Sequence, residues 1–200
     1  MRVAVHQPAP TEDVAEAVTT LQDALRDAER HAVDLVCFPE CYVGGYFPND
    51  REATARAAYD LEGPAFAALL ESLGRFDATL VVGLAEVRGS RLFNTAIAIR
   101  RGEVICRYAK ARPNEAFFQP VDTFPIFEVA GRRIGINICN DANYPEVALG
   151  TAAAGAAGVA MPLSNFLRHA VAETWRERHL VNVVARARDT GCWVVSSDIT

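Results

Sequence analysis

Gly135-Ile136-Asn137-Ile138-Cys139-Asn140-Asp141-Ala142-Asn143-Tyr144-Pro145-Glu146 carries a short apolar run into a polar turn that opens a helix. Ile134, Ile136 and Ile138 alternate with small or polar residues, the period of a strand packed on one face, and Asn140-Asp141 marks its end. Pro145 suits a first helical turn, and Asn143 with Glu146 three residues on has capping-box spacing. The pattern therefore predicts Cys139 between a strand end and a helix N-terminus. Backbone N–H groups and the helix dipole would favour negative charge there. A lone cysteine is equally suited to filling a core, so the case depends on what accompanies it.

Working outward, the same strand–helix grammar recurs along the chain. Val3 and Val5 lie in a short opening strand. Val14, Ala17, Val18, Leu21, Leu25 and Ala28 then recur at three- and four-residue steps, an amphipathic helix with Thr11 as its expected cap. Asp34 to Glu40 is a buried second strand that stops at Pro39-Glu40, followed by a loop from Cys41 to Asp50. A helix is expected from Arg51 to about Tyr59, and another opens at Gly63-Pro64. Thr79–Val87, Leu92–Ile99 and Val104–Tyr108 read as strands joined by hairpin turns at Arg88–Arg91 and Arg101-Gly102. After an irregular stretch to Phe124 come Ile126–Val129, the strand ending at Cys139, a small-residue helix to about Gly155 and the strand Val159–Leu163. A longer helix holds Trp175, Leu180, Val183, Val184 and Ala187, and Cys192–Ser196 is the last strand. Early and late βα units around central hairpins predict a mixed α/β fold whose strands are covered by helices.

Composition narrows the function. Half of the 200 residues are hydrophobic, 22% are charged and the net charge is −5, which fits one globular domain with a substantial core. The acidic balance and the absence of a basic run argue against nucleic acid or a membrane surface as partner. The opening Met1–Pro8 is too quickly polar for a signal peptide, and no apolar run approaches membrane-spanning length, so a cytoplasmic protein is expected. Five cysteines, Cys37, Cys41, Cys106, Cys139 and Cys192, form no CxxC pair, so reduced thiols are expected and no structural metal site is indicated.

Three reactive side chains sit at strand ends, where open α/β sheets build sites: Glu40, Lys110 and Cys139. A thiol needs a base to attack a carbonyl, and Glu40 is the candidate. The oxyanion that follows needs donors, for which Lys110 and the backbone amide of Asn140 are the candidates. A papain-like alternative would use His169 or His179 as base, but both lie among charged neighbours on a helix, where a solvated face is expected.

These blocks resemble the nitrilase superfamily of carbon–nitrogen hydrolases, which carries an ordered Glu, Lys, Cys triad. Asp34–Glu40 with Gly44-Gly45-Tyr46 is similar to its glutamate block, Gly102–Lys110 to its lysine block, and Gly135–Glu146 to its cysteine block. Met161-Pro162-Leu163-Ser164-Asn165, and Trp175 through Ala185-Arg186-Ala187-Arg188 to Val195, match downstream positions. The resemblance implies a four-layer α-β-β-α sandwich, pairing into a homodimer or higher homo-oligomer through helical layers, and no metal or organic cofactor. It implies that Glu40 is the general base, Lys110 the oxyanion stabiliser and Cys139 the acylated nucleophile. Glu115, ahead of Phe117-Phe118-Gln119-Pro120, matches a second glutamate that orders the site. Tyr46, Phe118, Asn140 and Asn165 are the expected lining of the substrate pocket. Asn140-Asp141 after the cysteine resembles the amidase and N-carbamoyl-amide branches, so the expected substrate is a small linear amide, with an N-carbamoyl amine or amino acid second.

The chain departs from the family where Val121 replaces a glycine, Leu149 an arginine, and Ala109 a basic residue. Relatives also continue with further strands and a tail, so residues 1–200 are expected to be a single domain lacking them. A paralogue acting in binding or assembly rather than catalysis is the rival reading.

Overall fold

Unbroken apolar runs and alternating ones divide the strands between two sheets. The computed structural model describes residues 1–165 and 169–199, without the side chains of 169–176. The side chains of Trp175 and His169, singled out by sequence, and the whole of Thr200 lie outside what is described. The first half comprises β1 (Val3–Val5), α1 (Val14–Arg30), β2 (Leu35–Cys37), α2 (Arg51–Ala57), α3 (Pro64–Leu73), β3 (Thr79–Arg88), β4 (Arg91–Arg100) and β5 (Glu103–Ala109). The second comprises β6 (Ile126–Val129), β7 (Arg132–Ile136), a 3₁₀ turn (Cys139–Asn143), α4 (Pro145–Ala153), β8 (Gly158–Pro162), α5 (His169–Thr190) and β9 (Trp193–Ser197).

One sheet has the order β1-β2-β3-β4-β5, parallel through β3 and antiparallel after it; the other is β6-β7-β8-β9, with β6 antiparallel and the rest parallel. Strand alternation sorts β3 between two cores. Leu80, Val82 and Leu84 join Leu21, Leu25, Phe66 and Leu73 from α1 and α3 on the outer face. Val81, with Leu35, Cys37 and Tyr108, meets Ile134, Ile136, Val159 and Met161 between the sheets. The helices α4 and α5 contact β7 and β9 on the far side, completing the α-β-β-α sandwich that the resemblance implies.

Local signals were partly redistributed. Asp13, not Thr11, caps α1, its carboxylate accepting from the amides of Ala15 and Glu16, while Thr11 donates its hydroxyl to Glu16. The second helix stops at Ala57 because Tyr59 is drawn onto β3, donating to the Ala85 carbonyl and accepting from the Val87 amide. At α4 the 3₁₀ turn makes Tyr144 the cap residue, so Asn143 does not cap and Glu146 lies exposed in the first turn beside Arg112.

Candidate active site

The C-terminal ends of β2, β5, β7 and β8 converge, and each delivers one polar group. Glu40 follows β2 and Pro39, and its backbone N–H donates to the Leu163 carbonyl just past β8, tying one sheet to the other at this point. Lys110 follows β5, its amide donating to the Asn94 carbonyl of β4. The Lys110 ammonium donates to Glu40 Oε1 at 2.6 Å, and both side chains are at most 1% exposed. The Asn94 side-chain amide donates to the same oxygen at 2.7 Å. Glu40 Oε2, equally buried, has no hydrogen-bond partner among the described residues. One carboxylate oxygen is thus anchored twice and the other is left free.

Gly83 of β3 lies directly beneath. Its amide donates to the Pro39 carbonyl, and a Cβ there would sit 2.4 Å from the Cys41 nitrogen and 2.6 Å from the Glu40 Cα. Backbone on both sides cannot retreat as a flexible side chain would. Gly83→Ala is therefore expected to cost about 3 kcal/mol or more, read as a lowered denaturation midpoint; an unchanged midpoint would show that the Glu40 loop can move aside.

Cys139 opens the 3₁₀ turn with a positive φ of 42°, a conformation costly for a residue with a side chain, so the turn around it must hold it there. Asp141 does this. Its Oδ2 accepts from the Ile138 amide at 2.8 Å and the Tyr108 hydroxyl at 2.7 Å, and its Oδ1 from the Arg112 amide at 2.9 Å. Burial raises the Asp141 pKa, against the pull of those donors and of Lys110. An asparagine here would turn an N–H toward one of these donors. Asp141→Asn is expected to cost about 1–3 kcal/mol and to lower turnover roughly 100-fold through misplacement of the thiol; unaltered turnover would remove Asp141 from this role.

The expectation of an electrostatically stabilised thiolate is reversed. Burial and the Glu40 carboxylate push the Cys139 pKa far above that of a free thiol, and the Lys110 ammonium and the Ser164 amide pull it back only in part. Cys139 therefore rests as a neutral thiol whose proton must be taken at the moment of attack. Lys110 stays cationic: burial disfavours its charge, but Glu40 and the other acidic groups around it outweigh that and raise its pKa.

The remaining candidates divide. Tyr46 donates its hydroxyl to Glu115 Oε1, and both line a cavity of about 410 Å³ with Cys139, Asn140, Ser164, Asn165 and His179. Glu115 is only 7% exposed, and its Oε2 is buried without a partner. Asn140 and Asn165 line the cavity, but their amides are engaged, Asn140 donating to the Arg112 carbonyl and Asn165 to Asp198. Phe118 does not belong to the site: it packs with Ala85 and Leu92, and its backbone bridges to Leu92 of β4. His179, expected on a solvated face, instead lines the cavity, and burial lowers its pKa.

Asn94 escaped the reading of the sequence, although an asparagine inside a strand buried from Leu92 to Ile99 is a detectable anomaly. Ser164 and His179 carried no comparable local signal, because only the fold brings them beside Cys139.

Comparison with known proteins follows this geometry. The carbon–nitrogen hydrolase family model matches residues 2–198. An (R)-stereoselective amidase from a Pseudomonas species is 28% identical over 165 residues, covering 81% of this chain and 57% of that protein. A deaminated glutathione amidase from Escherichia coli O157:H7 is 28% identical over 207 residues, covering 98% of this chain and 77% of its own length. The chain thus spans little more than half of the Pseudomonas relative. Among solved structures, an amidase from Nesterenkonia sp. AN1, as a glutamate-to-glutamine mutant showing Michael addition of acrylamide at its active site cysteine, matches with a TM-score of 0.81 at 24% identity, covering 100% of this chain and 78% of that one. A cysteine-to-alanine mutant of the same amidase matches with a TM-score of 0.80 at 23% identity. With a family model spanning almost every residue and the sandwich in place, this chain belongs to the carbon–nitrogen hydrolase family.

Proposed function

We propose that this protein hydrolyses the C–N bond of a small linear amide through a thioester on Cys139. The observation that carries the reading is the Glu40 carboxylate, with Oε1 fixed by Lys110 and Asn94 and Oε2 buried and unpartnered beside a neutral thiol. As Cys139 Sγ attacks the amide carbon, Glu40 Oε2 takes the thiol proton. The carbonyl oxygen becomes an oxyanion held by the Lys110 ammonium and the Asn140 amide. Collapse of the tetrahedral intermediate breaks the C–N bond, and the proton on Glu40 passes to the departing nitrogen, which leaves as ammonia. Water then loses a proton to Glu40 as it attacks the thioester. Collapse releases the carboxylic acid, and the proton returns to the sulfur. Glu115, which lines the cavity and whose Oε2 has no partner among the described residues, accepts from the amide N–H₂ and orients it.

Both sheets supply parts of this site, which supports reading residues 1–200 as belonging to a single domain. Among the described residues no helix is long and apolar enough to cross a membrane. The test is ammonia release from a panel of aliphatic amides, N-carbamoyl amines and nitriles. Amides are expected to be turned over best; release from nitriles alone would overturn the reading. Glu40→Gln removes the proton acceptor and is expected to lower turnover by roughly 10³-fold. Turnover within a few-fold of the parent protein would assign the base elsewhere.

A further inference from the structure

The cavity beside Cys139 is lined by several polar side chains, some of which already have partners. Asn143 donates to Asn140 Oδ1 and Asn140 to the Arg112 carbonyl, Asn182 donates to Asn143, and Asn165 is held by Asp198. Three buried atoms of the lining have no hydrogen-bond partner among the described residues: Glu115 Oε2, Ser164 Oγ and His179 Nε2. Buried polar atoms are almost always satisfied, and an orphan costs the full desolvation of the group. Three orphans on residues that line one cavity of about 410 Å³, a volume suited to a small ligand, point to hydrogen bonds that a ligand completes once these side chains turn toward it.

The amide being cleaved accounts for Glu115 and leaves the other two. Ser164 stands beside the nucleophile: its backbone is among the groups that lower the Cys139 pKa, and it lines both this cavity and the one that holds Glu40 and Cys41. His179 reaches the cavity from α5. An alkyl chain in this space would leave both groups unpaired. Resting on the amide-hydrolase reading above, we infer that the site selects small amides whose acyl portion ends in a hydrogen-bonding group, such as a second amide or a hydroxyl, recognised by the Ser164 hydroxyl and the His179 imidazole.

Succinamide and isocaproamide test this, because the second replaces the far amide of the first by a branched alkyl group of the same shape. Binding is measured calorimetrically to the full Cys139→Ala chain, so that recognition is read without turnover. Succinamide is expected to bind about tenfold or more tightly than isocaproamide. His179→Leu in the same background should bring that ratio toward one, Ser164→Ala should lower it, and His179→Gln, which retains a hydrogen-bonding group, should restore much of it. Equal binding of the two amides, binding of neither, or a preference that survives both His179→Leu and Ser164→Ala would overturn the inference. Ammonia release by the parent chain is scored separately. Its absence from every amide would defeat the hydrolase reading, while the binding ratio would still decide what the cavity recognises.

Discussion

Cys139→Ala is expected to eliminate amide hydrolysis, with a loss of roughly 10⁴-fold or more in turnover. The substitution removes only the sulfur. Alanine meets the same positive φ with the same Cβ, and Asp141 still anchors the Ile138 and Arg112 amides, so the turn should keep its shape. Thermal unfolding should accordingly change little while ammonia release vanishes. Cys139→Ser should be nearly as inactive, because a hydroxyl gives up its proton far less readily than the already reluctant thiol, and Glu40 is matched to the easier task. The resting protonation of the thiol adds a second readout. A simple haloacetamide should modify Cys139 no faster than an ordinary free thiol at neutral pH, since burial and Glu40 keep it protonated. Hydrolysis that persists in Cys139→Ala would sink the covalent mechanism outright.

The sequence made the positions of Glu40, Lys110 and Cys139 legible because each stands where an apolar run stops, and burial forces such stops to be polar or turned. The residue pattern carried a mixed α/β fold, whereas the two-sheet sandwich came from the resemblance of the Glu40, Lys110 and Cys139 blocks to the nitrilase superfamily. What the pattern could not carry was partnership. Thr11 and Asp13 are both good caps, and the structure uses Asp13 for the Ala15 and Glu16 amides while Thr11 bonds the Glu16 side chain. Phe118 and Tyr46 look alike in a linear reading, but the first is captured by Leu92 and the second by Glu115. His179 sits among charged helical neighbours, and only the return of α5 over the second sheet turns it inward. The sign of the Cys139 shift was missed for a related reason: local amides and a helix dipole are readable from sequence, whereas the depth of burial is not.

Lys110 carries a composition signal that bears on the largest structural effect expected here. Of the 20 Lys and Arg residues in the chain it is the only lysine, so the one side-chain ammonium stands at a fully buried position. An arginine's planar fork would spread its charge away from the point where an oxyanion forms. Lys110→Met is therefore expected to act twice. It deletes the oxyanion's charged donor, lowering turnover by roughly 10³-fold. It also leaves the Glu40 carboxylate, 1% exposed, without its counter-ion, a loss of about 3–5 kcal/mol in unfolding free energy at neutral pH. The second effect separates this lysine from one that only assists chemistry. In the double variant Lys110→Met with Glu40→Gln no buried charge remains at the pair, and Asn94 can still bond the new side-chain carbonyl, so stability should recover most of what Lys110→Met alone forfeits while activity stays absent. Chemical denaturation of the two single variants, the double variant and the parent protein gives the coupling energy directly. If the losses simply add, the 2.6 Å contact contributes no mutual stabilisation, and Lys110 is held in place by the packing of β5 instead.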